Sequence, residues 1–180
     1  MLFSHRFAWI IDNPVRRWLV RPETLFDRLE IDDREHILEV GPGSGYFSIE
    51  LAPRLRSGAL HLVDVQPEML AAVARRLERA PVSIATFICG DVVRLPFKPA
   101  SFDAVLAVAV LGESDSIQES LRSVFRVLKA GGRLLVHEHL PDPDIVRFGT
   151  LYEAAAEEGF VLERRWGRRW NYSALFTRPA

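Results

Sequence analysis

Two acids bracket a run of glycines in the first third of the chain. The stretch ILEVGPGSGYFSIELA, residues 37–52, carries Glu39 in an apolar run and then Gly41, Gly43 and Gly45 at alternate positions. A second acid, Asp64, closes the next apolar run, LHLVD. Glycine lets a backbone turn sharply and a ligand come close, because it has no Cβ to clash. In open α/β sheets such a loop after the first strand is where ligands sit. A carboxylate at the end of the following strand can accept hydrogen bonds from both hydroxyls of a ribose. The spacing is G-x-G-x-G, and Tyr46 stands where a dinucleotide loop carries its third glycine. A bulky residue there suits a cavity for a nucleotide ligand that has no pyrophosphate to rest on the helix N-terminus. A tight turn without ligand, and Asp64 as a cap for the helix opened by Pro67, are the plain alternatives.

A second set of polar residues falls later. VLGES supplies Glu113, and HEHLPDPD supplies His137, Glu138, His139, Asp142 and Asp144. An H-x-H pair without a third ligand does not specify a metal, so no metal is expected. The same residues also fit a polar loop mouth. Glu113, Glu138 and His139 are the candidates for acceptor contact or proton transfer.

These residues need a scaffold, and the apolar periodicity supplies one. Strands are expected over Ile37–Val40, Ala59–Val63, Ser83–Cys89, Phe102–Leu111 and Arg133–His137. Between them, helical patterns run over Tyr46–Leu55, Pro67 onward and Ile117–Leu128, with Gly131 and Gly132 ending the last. FDAVLAVAVL is apolar on both faces, as a central strand covered on two sides should be. Alternation of this kind implies a doubly wound α/β sheet, Rossmann-like and mostly parallel, with helices on both faces. After a helix near Leu151–Glu158, the runs FVLERRW and WNYSALFT are too close for a crossover and must form an antiparallel hairpin. Residues 1–30 read as a helical cover, with breaks near 12–14 and at Pro22, and residues 31–180 as the ligand-binding domain.

Composition narrows the classes. The 23 basic and 24 acidic residues nearly cancel, which argues against a nucleic-acid binder. A single cysteine, Cys89, rules out an internal disulfide and reads as a core residue. No segment approaches the ~20 apolar residues of a membrane span, and no signal peptide is recognised. A cytoplasmic protein is expected. RRWGRRW, residues 164–170, and the N-terminal aromatics beside arginines leave room for weak contact with a membrane surface, although solvated arginines and core packing explain them equally.

From about residue 30 onward the sequence resembles the class I S-adenosylmethionine-dependent methyltransferases, close to small bacterial quinone and phospholipid methyltransferases. LEVGPGSG resembles the first motif of that family, LVDVQPEML the second, CGDVVRLPFKPASFDAV the third and fourth, and RVLKAGGRLLV the entry to the fifth strand. The resemblance implies S-adenosyl-L-methionine as cofactor. It assigns Glu39 to the methionine ammonium, Asp64 to the ribose, Val65 and Gln66 to the adenine side, Asp91 to the adenine amino group and Val92 to the ring. Gly90 and Val108 complete the cofactor set. Many relatives resemble V-L-H-E after strand four, whereas this chain has Gly112 in place of the histidine and keeps Glu113. A small-molecule or lipid-like methyl acceptor follows. A nicotinamide-dependent oxidoreductase and a non-catalytic S-adenosylmethionine-binding module are the alternatives.

Overall fold

The computed structural model describes residues 20–78, 85–140 and 143–180. The breaks expected near residues 12–14, the first residues of the third strand and Asp142 lie outside them. Parallel strands β1 (His36–Val40), β2 (Ala59–Asp64), β3 (Ala85–Cys89), β4 (Phe102–Val108) and β5 (Leu128–His139) are followed by β6 (Val161–Arg168) and β7 (Asn171–Thr177). The order across the seven-stranded sheet is β3-β2-β1-β4-β5-β7-β6. β7 runs antiparallel between β5 and β6. The doubly wound sheet and its terminal hairpin are therefore those the sequence predicts.

Helices α1 (Pro22–Leu29), α2 (Tyr46–Leu51), α3 (Pro67–Leu77), α4 (Ile117–Val127) and α5 (Phe148–Glu157) surround the sheet. α1 and α3 both open on proline, whose missing N–H costs nothing in a first turn. Pro22 thus marks a helix start, with Val20 and Arg21 outside any helix before it. α4 begins with a Ser116 hydroxyl that accepts the Glu119 N–H, satisfying one of the donors a helix start leaves over. Among the described residues no helix is long and apolar enough to cross a membrane.

Side chains alternate between the two faces of each strand, and the apolar core divides accordingly. One face gathers Ile37, Leu60, Leu62, Leu106, Val108, Leu135 and Leu175 under α1, α2 and α3. The other gathers Leu38, Val40, Val63, Val105, Val136 and Ala174 with α4 and α5. α1 adds Leu25, Phe26 and Leu29, all buried, each worth about 1.5–3 kcal/mol when removed from water. Arg133 of β5 ties that helix down, its Nε donating to the Leu29 carbonyl at 2.9 Å and Nη2 to Glu35 Oε1 at 2.6 Å.

Three expectations are corrected. α4 ends at Val127, not at the glycine pair. Gly131 and Gly132 lie inside β5, where the register shifts between Phe102 and Ala104 and the strand bulges toward Arg178: Gly131 N–H donates to its carbonyl, and Gly132 accepts its N–H. Cys89 is exposed, because β3 is an edge strand and its last residue projects beyond the core.

The described segment ahead of α5, residues 143–147, is clamped onto the turn after β4. A Cβ built on Gly112 would lie 1.7 Å from the Asp144 carbonyl oxygen. From below, Tyr172 Oη donates to the Val146 carbonyl at 2.8 Å and Val146 N–H donates to Glu138 Oε2 at 3.3 Å. Gly112 is thus demanded by a backbone contact that no larger residue leaves intact. Gly112→Ala is expected to destabilise the fold by about 1–3 kcal/mol, the usual cost of overpacking, read from the midpoint of urea unfolding.

Candidate functional site

The carboxyl ends of β1 to β5 come to one edge of the sheet, and the residues singled out by the sequence gather there. Gly41 N–H donates to the Val63 carbonyl at 2.8 Å, fastening the loop to β2. Gly41 and Gly45 have φ of +63° and +80°, and a Cβ on either would strike Val110 or Val73. Gly43 differs. Its φ is +54°, yet among the described residues a Cβ there would meet nothing within 4 Å. Arg76 of α3 holds the loop from behind, donating to the Ser44 carbonyl at 2.6 Å.

Asp64 is 9% exposed and accepts the Gln66 N–H at 2.9 Å. Burial pushes its carboxyl above the ordinary carboxylate range, while backbone N–H groups of Gln66, Gly43 and Val65 oppose that push. The carboxylate therefore bridges β2 to the glycine loop. It does not cap α3, whose N-cap is Gln66. Val65, next along, is 40% exposed, an apolar surface beside the open loop. Gly90 N–H donates to the Asp64 carbonyl at 3.0 Å, bringing the end of β3 alongside. There Asp91 caps a short turn, accepting the Val93 N–H at 3.1 Å, and Val92 is buried. α4 grips this turn: Ser123 Oγ accepts the Leu95 N–H, and Arg126 donates to the Leu95 and Phe97 carbonyls.

Glu39 is 2% exposed and lies on the same face as Asp64, where Ser48 Oγ of α2 donates to its Oε2 at 2.7 Å. Tyr46 is buried, its ring edge-on to Phe47 at 4.9 Å and its Oη donating to the Val20 carbonyl. It packs into the core under the loop and does not shape a cavity above it. One strand further, Val108 is in register with His137. Ala109 follows with φ of +51°, and its N–H donates to the His137 carbonyl at 2.8 Å. A left-handed non-glycine residue is strained, and such strain collects at functional sites.

The acceptor candidates divide. His139 and His137 lie on the Glu39 and Asp64 face, their ring centroids 5.4 Å apart. Glu113 is half-buried in the turn after β4. Glu138 points to the opposite face, paired with Tyr172 across the sheet, where it anchors Val146. Burial first, and the Glu138 carboxylate second, push the Tyr172 phenol upward, so it remains a donor to that loop. Among the described residues no group of three or more potential metal ligands comes together. Sequence reasoning missed Ser173 and Arg28, which touch His137's surroundings from β7 and α1. Only the three-dimensional pairing of distant segments brings them in.

The sheet order, with its antiparallel C-terminal strands, defines a Rossmann-like α/β fold. Within it the chain belongs to the methyltransferase domain family, which it matches over residues 38–136. It is 37% identical to a demethylmenaquinone methyltransferase of Corynebacterium efficiens over 128 residues, 71% of this chain and 51% of that protein. It is 31% identical to the ubiquinone/menaquinone biosynthesis C-methyltransferase UbiE of Roseobacter denitrificans over 133 residues, 72% of this chain and 53% of that protein. The chain spans about half the length of the curated relatives it matches. Among solved structures, a SAM-dependent methyltransferase from Aquifex aeolicus superposes with a TM-score of 0.89 at 16% identity, covering 98% of this chain and 100% of that one.

The raised Asp64 pKa carries a sign for stability. An acid whose pKa is higher folded than unfolded favours the fold below its unfolded pKa and loses that contribution as pH rises through the folded value. Ionised Asp64 therefore burdens the ligand-free protein at neutral pH. Ligand-free Asp64→Asn is expected to melt at or above the wild type at pH 7, with the difference shrinking on acidification toward pH 4, as followed by circular dichroism.

Proposed function

We propose that this protein transfers a methyl group from S-adenosyl-L-methionine to a small-molecule or lipid-like acceptor. The observation that carries the reading is the open flank of Gly43, bounded by two buried acids on one face, Glu39 and Asp64. Those groups fit the cofactor. The Asp64 carboxylate suits the ribose hydroxyls, exposed Val65 and buried Val92 suit an adenine ring, Asp91 its amino group, and Glu39 the methionine ammonium. S-adenosylmethionine brings a methyl carbon already activated by a sulfonium centre, so what remains for the protein is alignment and exclusion of water. A proton acceptor is required only where the methyl acceptor must lose a proton, and Glu113 and His139 are the residues for that task. Glu138 supports the same site indirectly by holding the loop around Val146. Membership in the methyltransferase domain family speaks against the nicotinamide-dependent alternative.

The end of β5 meets the tip of the β6–β7 hairpin, where His139 pairs with Asn171. Leu140 is 50% exposed and Trp170 42%. Leu140 N–H donates to the Trp170 carbonyl at 3.0 Å, which sets the two residues side by side. Arg168 and Arg169 are exposed beside them, Arg169 over the Trp170 ring at 4.8 Å. Aromatic and basic residues together suit an anionic bilayer surface, at about 1 kcal/mol per arginine near it, and a lipid-like acceptor would be drawn from there.

Two measurements test these readings. Asp64→Ala should weaken S-adenosylmethionine binding by about tenfold or more in calorimetric titration, about 1.4 kcal/mol; unchanged affinity, or stabilisation by a dinucleotide alone, overturns the cofactor reading. Vesicles containing phosphatidylglycerol should co-sediment the protein and release it in high salt, and Trp170→Ala with Arg169→Glu should abolish that. Equal pelleting with neutral vesicles would remove the electrostatic part of the contact.

A further inference from the structure

His61 of β2 has a buried ring nitrogen with nothing to bond. Its Nδ1 has no accessible surface and no hydrogen-bond partner among the described residues, and a buried polar atom left over in this way calls for a reason. The ring stands on the α4 side of the sheet, the face that Leu38, in register with it on β1, gives to the core. Its centroid lies 5.2 Å from that of Phe102 and 6.0 Å from that of Phe97, and those two rings meet at 4.8 Å. The imidazole of exposed His36 lies nearly parallel to it, 5.9 Å away. A neutral imidazole carries one N–H and an imidazolium carries two. Protonation therefore places a charged donor on a buried atom that has no acceptor, and such a group is costly to keep. Burial first, and His36 second, push the His61 imidazole below its ordinary range. The other described charged groups around the cluster are engaged elsewhere or exposed. Asp103 of β4 accepts the His36 N–H at 2.9 Å and the Lys129 ammonium of β5 at 2.7 Å. Arg126 of α4 donates to the Phe97 carbonyl at 2.6 Å, and Lys98 is exposed. β3 presents Thr86 in register with His61.

Phe97 ends a segment that starts at Asp91. Val92 and Leu95 of that segment are buried, Arg94 N–H donates to the Asp91 carbonyl at 3.1 Å, and Leu95 N–H donates to Ser123 Oγ at 2.9 Å. Phe97 is half-buried, and its ring rests on Phe102 and His61, so His61 forms part of the floor beneath the segment. We propose that His61 is an acid-sensitive latch: neutral, it seats Phe97 and with it residues 91–97, and protonated, it leaves the ring cluster and frees that segment while the strands stay folded. In the freed state the imidazole is solvated and takes up a proton at its ordinary value of about 6.5; in the seated state it resists. The seated state is therefore fully favoured above that value, and its advantage is lost as pH falls from there through the lower, seated value. Segments that open below the global unfolding free energy are common in folded proteins. The segment carries Asp91 and Val92, so on the methyl-transfer reading, on which this consequence rests, acid loosens the adenine end of the cofactor site.

The latch is tested on the ligand-free protein by amide hydrogen exchange between pH 8 and pH 5.5, with each rate referred to that of an unstructured chain at the same pH. Protection of the Arg94 and Leu95 amides should fall by up to about tenfold per pH unit below about 6.5, the slope of one proton. It should stay well below the protection of the Leu106 and Leu135 amides in β4 and β5. In His61→Phe, which fills the cluster and cannot titrate, the fall should disappear. An equal fall in His61→Phe, or exchange of Arg94 and Leu95 at the rate of the strand amides, overturns the proposal. Should His61→Phe not fold, the titration of the wild-type His61 ring decides. Its midpoint should lie below about 6.5 and coincide with the loss of amide protection; a midpoint at or above that value, or amides that ignore the titration, overturns the latch. The cofactor consequence has its own readout. S-adenosylmethionine affinity should drop more between pH 8 and pH 5.5 in the wild type than in His61→Phe, and equal drops overturn the link to the site. Failure to bind at either pH counts against the methyl-transfer reading, while the ligand-free exchange still decides the latch.

Discussion

One carboxylate holds the site together. Asp64 gathers backbone N–H groups from the glycine loop and from its own turn, and its neighbours make the same join in the main chain, where Gly41 binds Val63 and Gly90 binds the Asp64 carbonyl. Three strand ends are thereby fixed to one another before any ligand arrives. The protein accepts a buried, desolvated acid in return, a burden that a ligand presenting hydroxyl donors would relieve. A carboxylate already partly satisfied by backbone donors is pre-aimed, so little orientational freedom is lost on binding.

Much of this was legible in the sequence because it is local. Hydrophobic period separates strands from helices, and glycines at positive φ announce themselves by composition. Gly41, Gly43 and Gly45 form the turn after β1, and Asp64 closes β2, as the apolar runs around them predict. What was illegible depends on long-range register. Glu138 and His139 are adjacent in sequence, and a strand sends adjacent side chains to opposite faces; which face each one joins is decided by how β5 packs between the two layers of helices. Tyr46 was read as cavity-forming because its position follows the loop, yet the helix turns its ring into the core. Cys89 looked buried by residue type and is exposed by sheet order. Arg28 and Ser173 are unremarkable residues in the linear chain, and nothing near either one hints at the other.

Gly112 shows how a departure from a family pattern can have a structural cause. A histidine there would be a natural proton carrier, and its absence reads first as lost chemistry. The carbonyl of Asp144 occupies the space that a side chain would need, and Tyr172 and Glu138 hold that loop down from the far face. The turn after β4 thus carries no side chain at this position, and the loop before α5 lies against it.

The place of β7 inside the sheet has a bearing on how the molecule assembles. Until β7 docks, β5 is an open edge with unpaired backbone groups, the kind of edge that recruits other chains. The contact between Arg28 and Ser173 joins residues 145 positions apart, and contacts of such separation form late because loop closure must precede them. The same strand carries Ser173, whose hydroxyl lies 2.8 Å from His137 Nδ1. Closing the β5 edge and joining α1 to the sheet through Arg28 and Ser173 are therefore consequences of one docking event, the seating of β7.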